Sequence, residues 1–142
     1  MDTRRAAPDA HRAMLALDAA VELDPALREL VRVRASFVNG CAFCVQLHTH
    51  EALAAGEQAH RLFGLAAWED SPFYTVRERA ALALTDAVTD LGAGHVPDGV
   101  WDAAAREFEE PELAQLLFAI VAINALNRLA IATRKRPRVA RA

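Results

Sequence analysis

The sequence predicts an all-α fold, a compact single-domain bundle of about seven helices. Three observations point there. Apolar residues recur at i, i+3 and i+4 through most of the chain, and no stretch shows the strict alternation of a half-buried strand. Aromatics are scarce (6%) while alanine is plentiful, a balance that suits closely packed helices better than a β-sandwich. The breaks between periodic stretches carry helix start and stop residues. With 142 residues, 54% of them hydrophobic, the chain can bury a core of its own.

In chain order, residues 1–8 read as a disordered N-terminus, 9–133 as the helical domain and 134–142 as a basic tail. Asp9 to Leu23 forms a first helix, with Met14, Leu17 and Val21 on a loose apolar face. Asp24-Pro25 restarts the chain, Asp as N-cap and Pro at the first helical position. From there Leu27, Leu30, Val31, Ala35 and Val38 mark a second helix that stops at Asn39-Gly40. A third runs from about Cys41 to Ala55, ended by Gly56. Glu57 to Ala67 is a short fourth helix that packs Leu62, Phe63 and Leu65, and Trp68 to Tyr74 is the longest loop. Thr75 and Glu78 make a capping box ahead of Ala80 to Leu91. Gly92-Ala93-Gly94 breaks the chain before a sixth helix, Pro97 to Phe108, which carries Val100 and Trp101. Pro111 opens the last helix, which continues to about Thr133. It is apolar on more than one face, so it is buried at the centre of the domain or against another subunit. Asn124, Asn127 and Arg128 interrupt it and require hydrogen-bond partners.

The net charge of −3 conceals a polarity. Arg134, Lys135, Arg136, Arg138 and Arg141 crowd the tail without an acid, which leaves the rest of the chain acidic. That argues against nucleic acid as the main partner and makes the tail a solvated terminus. No apolar run follows Arg4 and Arg5 as a signal peptide requires, and Leu113 to Ile123 is too short to span a bilayer. The expected location is the cytoplasm, with no membrane partner. In that reducing compartment a CxxC pair is redox-active or metal-binding more readily than it is a permanent staple.

Both cysteines lie three residues apart in the stretch Asn39 to His48. Cys41 and Cys44 fall at a helix N-terminus, where free backbone N–H groups and the helix dipole favour thiolate. At i, i+3 spacing their Cα atoms are within disulfide reach. His48 follows Cys44 by four residues, on the same helix face. If the second and third helices form a hairpin hinged near Gly40, Glu29 comes level with about residue 51, within a turn of His48. A carboxylate there can orient His48 as it takes a proton from Cys44.

Glu29, eleven residues, Cys41, two residues, Cys44, three residues, His48 resembles the signature of the alkyl hydroperoxidase D-like branch of the carboxymuconolactone decarboxylase family. The Asn39-Gly40 before it, the stretch Thr75 to Leu82 and the stretch Ile123 to Arg128 also resemble that family, so the likeness covers roughly residues 12–133. It implies an all-helical fold, a thiol-dependent peroxidase activity and assembly into trimers or hexamers. By position it makes Cys44 the peroxide-attacking cysteine, Cys41 the resolving one, and Glu29 with His48 the proton relay. The shared face of Cys44 and His48 agrees. One departure is Phe43, where some members carry a histidine; Phe43 relays no proton. The decarboxylase branch lacks the cysteine pair, so lactone decarboxylation is not expected.

The resulting expectation is reduction of alkyl or hydrogen peroxides by Cys44, a Cys41–Cys44 disulfide, and its reduction by an external dithiol such as a lipoylated protein or a thioredoxin-like partner. No metal or organic cofactor is required. Two alternatives remain open: a non-enzymatic redox sensor, disulfide-exchange protein or scaffold, and a metal site built from Cys41, Cys44 and His48 with His50, His60 or Glu29. His11, His50, His60 and His95 otherwise read as surface histidines.

Overall fold

The computed structural model describes residues 1–92 and 94–137. Ala93 of the expected glycine-flanked break, and Arg138 and Arg141 of the basic tail, lie outside the described residues. Among the described residues there are eight α-helices and no strand: α1 (Thr3–Ala6), α2 (Pro8–Ala19), α3 (Pro25–Val38), α4 (Ala42–Ala54), α5 (Ala59–Gly64), α6 (Val76–Thr89), α7 (Asp98–Glu107) and α8 (Glu110–Ala132). A 3-10 segment, Leu65–Asp70, joins α5 to the α6 approach. The all-α bundle is as the sequence predicts.

Within residues 1–8, expected to be disordered, lies the short helix α1. Asp2 accepts a hydrogen bond from the Arg4 N–H at 3.0 Å, which caps α1, and Thr3 Oγ1 lies 3.1 Å from His11 Nδ1. Local polar capping, and not apolar periodicity, supports this turn.

Helix α3 is the pivot, packing against α4, α6 and α8. Its start follows the Asp-Pro signal, with Asp24 accepting from the Leu27 N–H at 2.9 Å. Leu27 and Val31 enter one core with Leu84, Phe108, Leu116 and Ile120. Leu30 and Val33 enter a second with Leu62, Leu65, Trp68 and Tyr74. Each fully buried residue of this size stabilises the fold by about 1.5–3 kcal/mol. Glu29, Arg32 and Ser36 follow one another at i, i+3 and i+7 and leave α3 with a third, polar face.

Some packing expectations change. Phe63 is 76% exposed, because α5 is only six residues long and buries Leu62 on its other side. Trp68 does not lie in a loop: it is buried in the 3-10 segment, and its indole N–H donates to Asp86 at 2.9 Å. Asp86 also takes Arg34 through both oxygens, at 2.6 and 2.9 Å. Trp101 stays at the surface and α7 buries Ala104 instead. The Thr75–Glu78 capping box is present as read, one turn before the expected helix start.

The apolar run Leu113–Ile123 belongs to a 23-residue helix, which by length and composition could cross a membrane. In this fold it closes the core instead, with Leu116, Ile120 and Ile123 fully buried and Phe118 and Val121 facing outward. Its polar residues have the partners they require. Asn39 Nδ2 donates to Asn124 Oδ1 and Asn127 Oδ1, each at 2.9 Å, and Asn127 donates to Ser36 Oγ at 3.1 Å. Asn124 donates to Thr89 Oγ1 at 2.9 Å, while Arg128 donates to Asn124 Oδ1 at 2.7 Å. The end of α3 is thereby tied to the middle of α8.

Candidate active site

Two helix ends place the cysteines. Gly40 takes φ +66°, so its N–H reaches Phe37 O at 3.1 Å and the Cys41 N–H reaches Ser36 O at 3.0 Å. Cys41, the last residue of that terminator, is also the N-cap of α4, its sulfur accepting from the Cys44 N–H at 3.4 Å. The α3–α4 hairpin thus turns on the short joint Asn39-Gly40-Cys41. The Cα atoms of Cys41 and Cys44 are 5.3 Å apart and the sulfurs stand at disulfide distance. With Ala130 of α8 they form a small buried cluster flanked by Phe43.

The two cysteines differ in access. A cavity of about 550 Å³ opens beside α4, and Cys44 lines it while Cys41 does not. His48 shares that wall, one turn along the same helix face. Phe43, Leu47, Leu126 and Leu129 supply apolar walls; α1 with its flanks, His11 and Leu15 close one side, and Lys135 stands at another.

Glu29 reaches the site as the hairpin geometry required, its Oε2 lying 3.5 Å from His48 Nδ1. Glu51, three residues beyond His48, is nearer: its Oε2 is 2.9 Å from the same nitrogen and makes the hydrogen bond. Glu29 Oε2 is buried and has no hydrogen-bond partner of its own. Its other oxygen accepts from Arg32 at 2.7 Å, and Arg32 is held in turn by Asp18 at 2.6 Å. The result is a row of alternating charge, Asp18–Arg32–Glu29, ending at the imidazole. Burial pushes the Glu29 carboxyl up, but the nearby His48 imidazole and the Arg32 guanidinium outweigh it and hold Glu29 below the ordinary carboxylate value.

Sequence reasoning placed Glu29, Cys41, Cys44 and His48 in one neighbourhood, and the structure brings them together. It missed Glu51, although the i, i+3 spacing from His48 was readable. It missed Asp18 and Arg32 because their pairing depends on how α2 crosses α3. Among the described residues, the expected set of Cys41, Cys44 and His48 with His50, His60 or Glu29 is not brought within ligand distance. Among the described residues, the group of three close enough to share an ion is Glu29, His48 and Glu51, without either cysteine. Arg32 already supplies the positive charge on Glu29 there.

The family model described as the carboxymuconolactone decarboxylase family matches residues 8–87, which spans α2, the hairpin and α6. The chain belongs to the carboxymuconolactone decarboxylase family. Within it, the chain is 38% identical over 105 residues to the uncharacterised protein YdfG of Bacillus subtilis, covering 74% of this chain and 71% of that protein. A crystal structure from Agrobacterium tumefaciens, of a protein of unknown function described as a candidate AhpD antioxidant defence protein, superimposes with a TM-score of 0.95. It is 34% identical and the match covers 99% of this chain and 98% of the other. That likeness, with the Cys41–Cys44 pair and its flanks, puts the chain in the alkyl hydroperoxidase D-like branch of the family. The debrominase Bmp8 superimposes with a TM-score of 0.85 at 25% identity, over 96% of this chain and 75% of its own, so a similar chain fold also carries a debrominase.

Proposed function

We propose that the protein is a thiol-dependent peroxidase that reduces alkyl or hydrogen peroxides through Cys44 and Cys41. The observation that carries this reading is that Cys44 and His48 share a cavity wall while Cys41 sits behind Cys44 at disulfide distance. In the reduced form His48, its Nδ1 side held by Glu51 and Glu29, takes the Cys44 proton through its other ring nitrogen. The thiolate attacks one peroxide oxygen. The O–O bond breaks, Cys44 becomes a sulfenic acid, and the departing alkoxide takes the proton from His48. Cys41 then attacks the sulfenic sulfur, water leaves and the disulfide forms. An external dithiol of the lipoyl or thioredoxin class restores both thiols by exchange. The exposed Phe118, Val121, Leu129 and Ile131 on α8 support assembly as a homo-oligomer, a trimer or hexamer by family resemblance. A reducing compartment such as the cytoplasm fits this cycle.

The test is turnover. Reduced protein given a hydroperoxide and excess dithiol should consume many equivalents per chain; a single oxidation that stops would mean a sensor. Release of bromide from an organobromide, with hydroperoxides inert, would move the reading toward the chemistry of the debrominase.

A further inference from the structure

We propose that the cavity is built for ligands with an apolar body and a carboxylate, and that Lys135 holds the carboxylate. Resting on the peroxidase reading above, the substrate class is then an organic hydroperoxide acid, of the kind formed when an unsaturated fatty acid is oxidised.

Of the Arg and Lys side chains lining the cavity, Lys135 is the one without an acidic partner among the described residues. Arg32 is bound by Asp18 and Glu29, and Arg4 faces Asp2 at 3.9 Å. Glu51 is engaged with His48. Lys135 meets no acidic group among the described residues; its ammonium stands 4.2 Å from the centre of the Phe43 ring. Arg134 and Arg136 on either side likewise form no ion pair among the described residues, but of the three it is Lys135 that lines the cavity. A cation over an aromatic face keeps its N–H groups free for an anion, because the ring engages it through charge and not through a hydrogen bond.

The backbone under Lys135 is fixed. Arg134 adopts φ +58°, its N–H reaches Ile131 O at 3.0 Å, and the Lys135 N–H reaches Ala130 O at 2.9 Å. Ala130 is the α8 residue that packs on the cysteine pair, and Phe43 is the residue before Cys44. The ammonium is therefore attached, through one terminator and one ring, to the site of attack. The cavity that Lys135 and Cys44 both line also carries Phe43, Leu47, Leu126 and Leu129, which suit a hydrocarbon body. The chemistry at Cys44 is as above: the O–O bond breaks, sulfur loses two electrons, the alkoxide gains the His48 proton, and the product is a hydroxy acid with its carboxylate intact.

The experiment uses the full reduced chain. Stopped-flow oxidation of Cys44 is compared for a fatty-acid hydroperoxide and its methyl ester. The acid should react about tenfold faster at low salt, and the preference should shrink as salt is raised. Lys135→Gln should bring the acid-to-ester ratio near one, whereas Lys135→Arg should preserve it. Binding of dodecanoate, which carries no peroxide, to the Cys44→Ser variant should weaken about tenfold when Lys135→Gln is added. Equal rates for acid and ester, or a ratio indifferent to Lys135, would overturn the proposal. Lys135-dependent dodecanoate binding with every hydroperoxide inert would uphold the ligand class and sink the peroxidase reading instead.

Discussion

Glu51 and Glu29 reach the same nitrogen of His48 but are held differently. Glu51 is 49% exposed with His48 as its partner, while Glu29 is 13% exposed and pinned by Arg32. Glu51→Gln should therefore slow Cys44 oxidation only several-fold, since Glu29 Oε2 stands unpartnered and ready to accept the N–H. Glu29→Gln should cost more, and the double variant more than the two singles combined, the mark of two groups that substitute for each other. His48→Ala should cost about 100- to 10,000-fold. Cys44→Ser should abolish peroxide consumption, and Cys41→Ser should leave Cys44 as sulfenic acid, detectable by trapping with dimedone and intact mass. Trapping on Cys41 would reverse the two assignments. At this scale the partners readable from sequence lie on one helix or across one hairpin, although Glu51, three residues beyond His48 on the same helix, was passed over. Lys135 escaped notice because a lysine just past a helix end looks like part of a solvated tail, and only the terminator geometry shows that it turns back.

Helix ends did most to make the elements legible, because their chemistry is local. Asp24-Pro25, Asn39-Gly40, Gly56 and Thr75 to Glu78 mark boundaries that hold in the structure. The α5 region was harder: Gly64 follows one short turn, and the chain continues as a 3-10 segment that no periodicity announces. Two glycines give opposite expectations. Gly40 takes φ +66° with open space where a side-chain methyl would stand, so Gly40→Ala should destabilise by about 1–2 kcal/mol through backbone strain alone. Gly99 lies inside α7 with the same open space and no positive φ, so Gly99→Ala should stabilise by about 0.5–1 kcal/mol. Urea unfolding of both variants would show whether the signs differ.

For the molecule as a whole, stability should fall in acid in a defined direction. Glu29 and Glu78 are both held below their ordinary value: burial raises each, but His48 and Arg32 outweigh it at Glu29, and Arg61 with the Thr75 cap outweighs it at Glu78. A depressed carboxyl contributes fully above its unfolded pKa, about 4.3, and the contribution disappears as pH falls through the lower folded value. Denaturant midpoints from about pH 6 down to about pH 2 should trace that loss, and Glu29→Gln should flatten it. Light scattering should find an oligomer that Phe118→Asp weakens without loss of helix signal; a wild-type monomer would refute the assembly. The short joint between α3 and α4 bears on the sensor alternative. A switch needs a lever, some part whose displacement a partner can feel. Here the proposed bond spans the joint and the first turn of α4, next to a backbone held by Gly40 and the Asn39 network, so little else has reason to move. If the pair cycles as proposed, the outer contour should differ little between the two redox states, and a partner would sense them only by exchanging thiols with the pair.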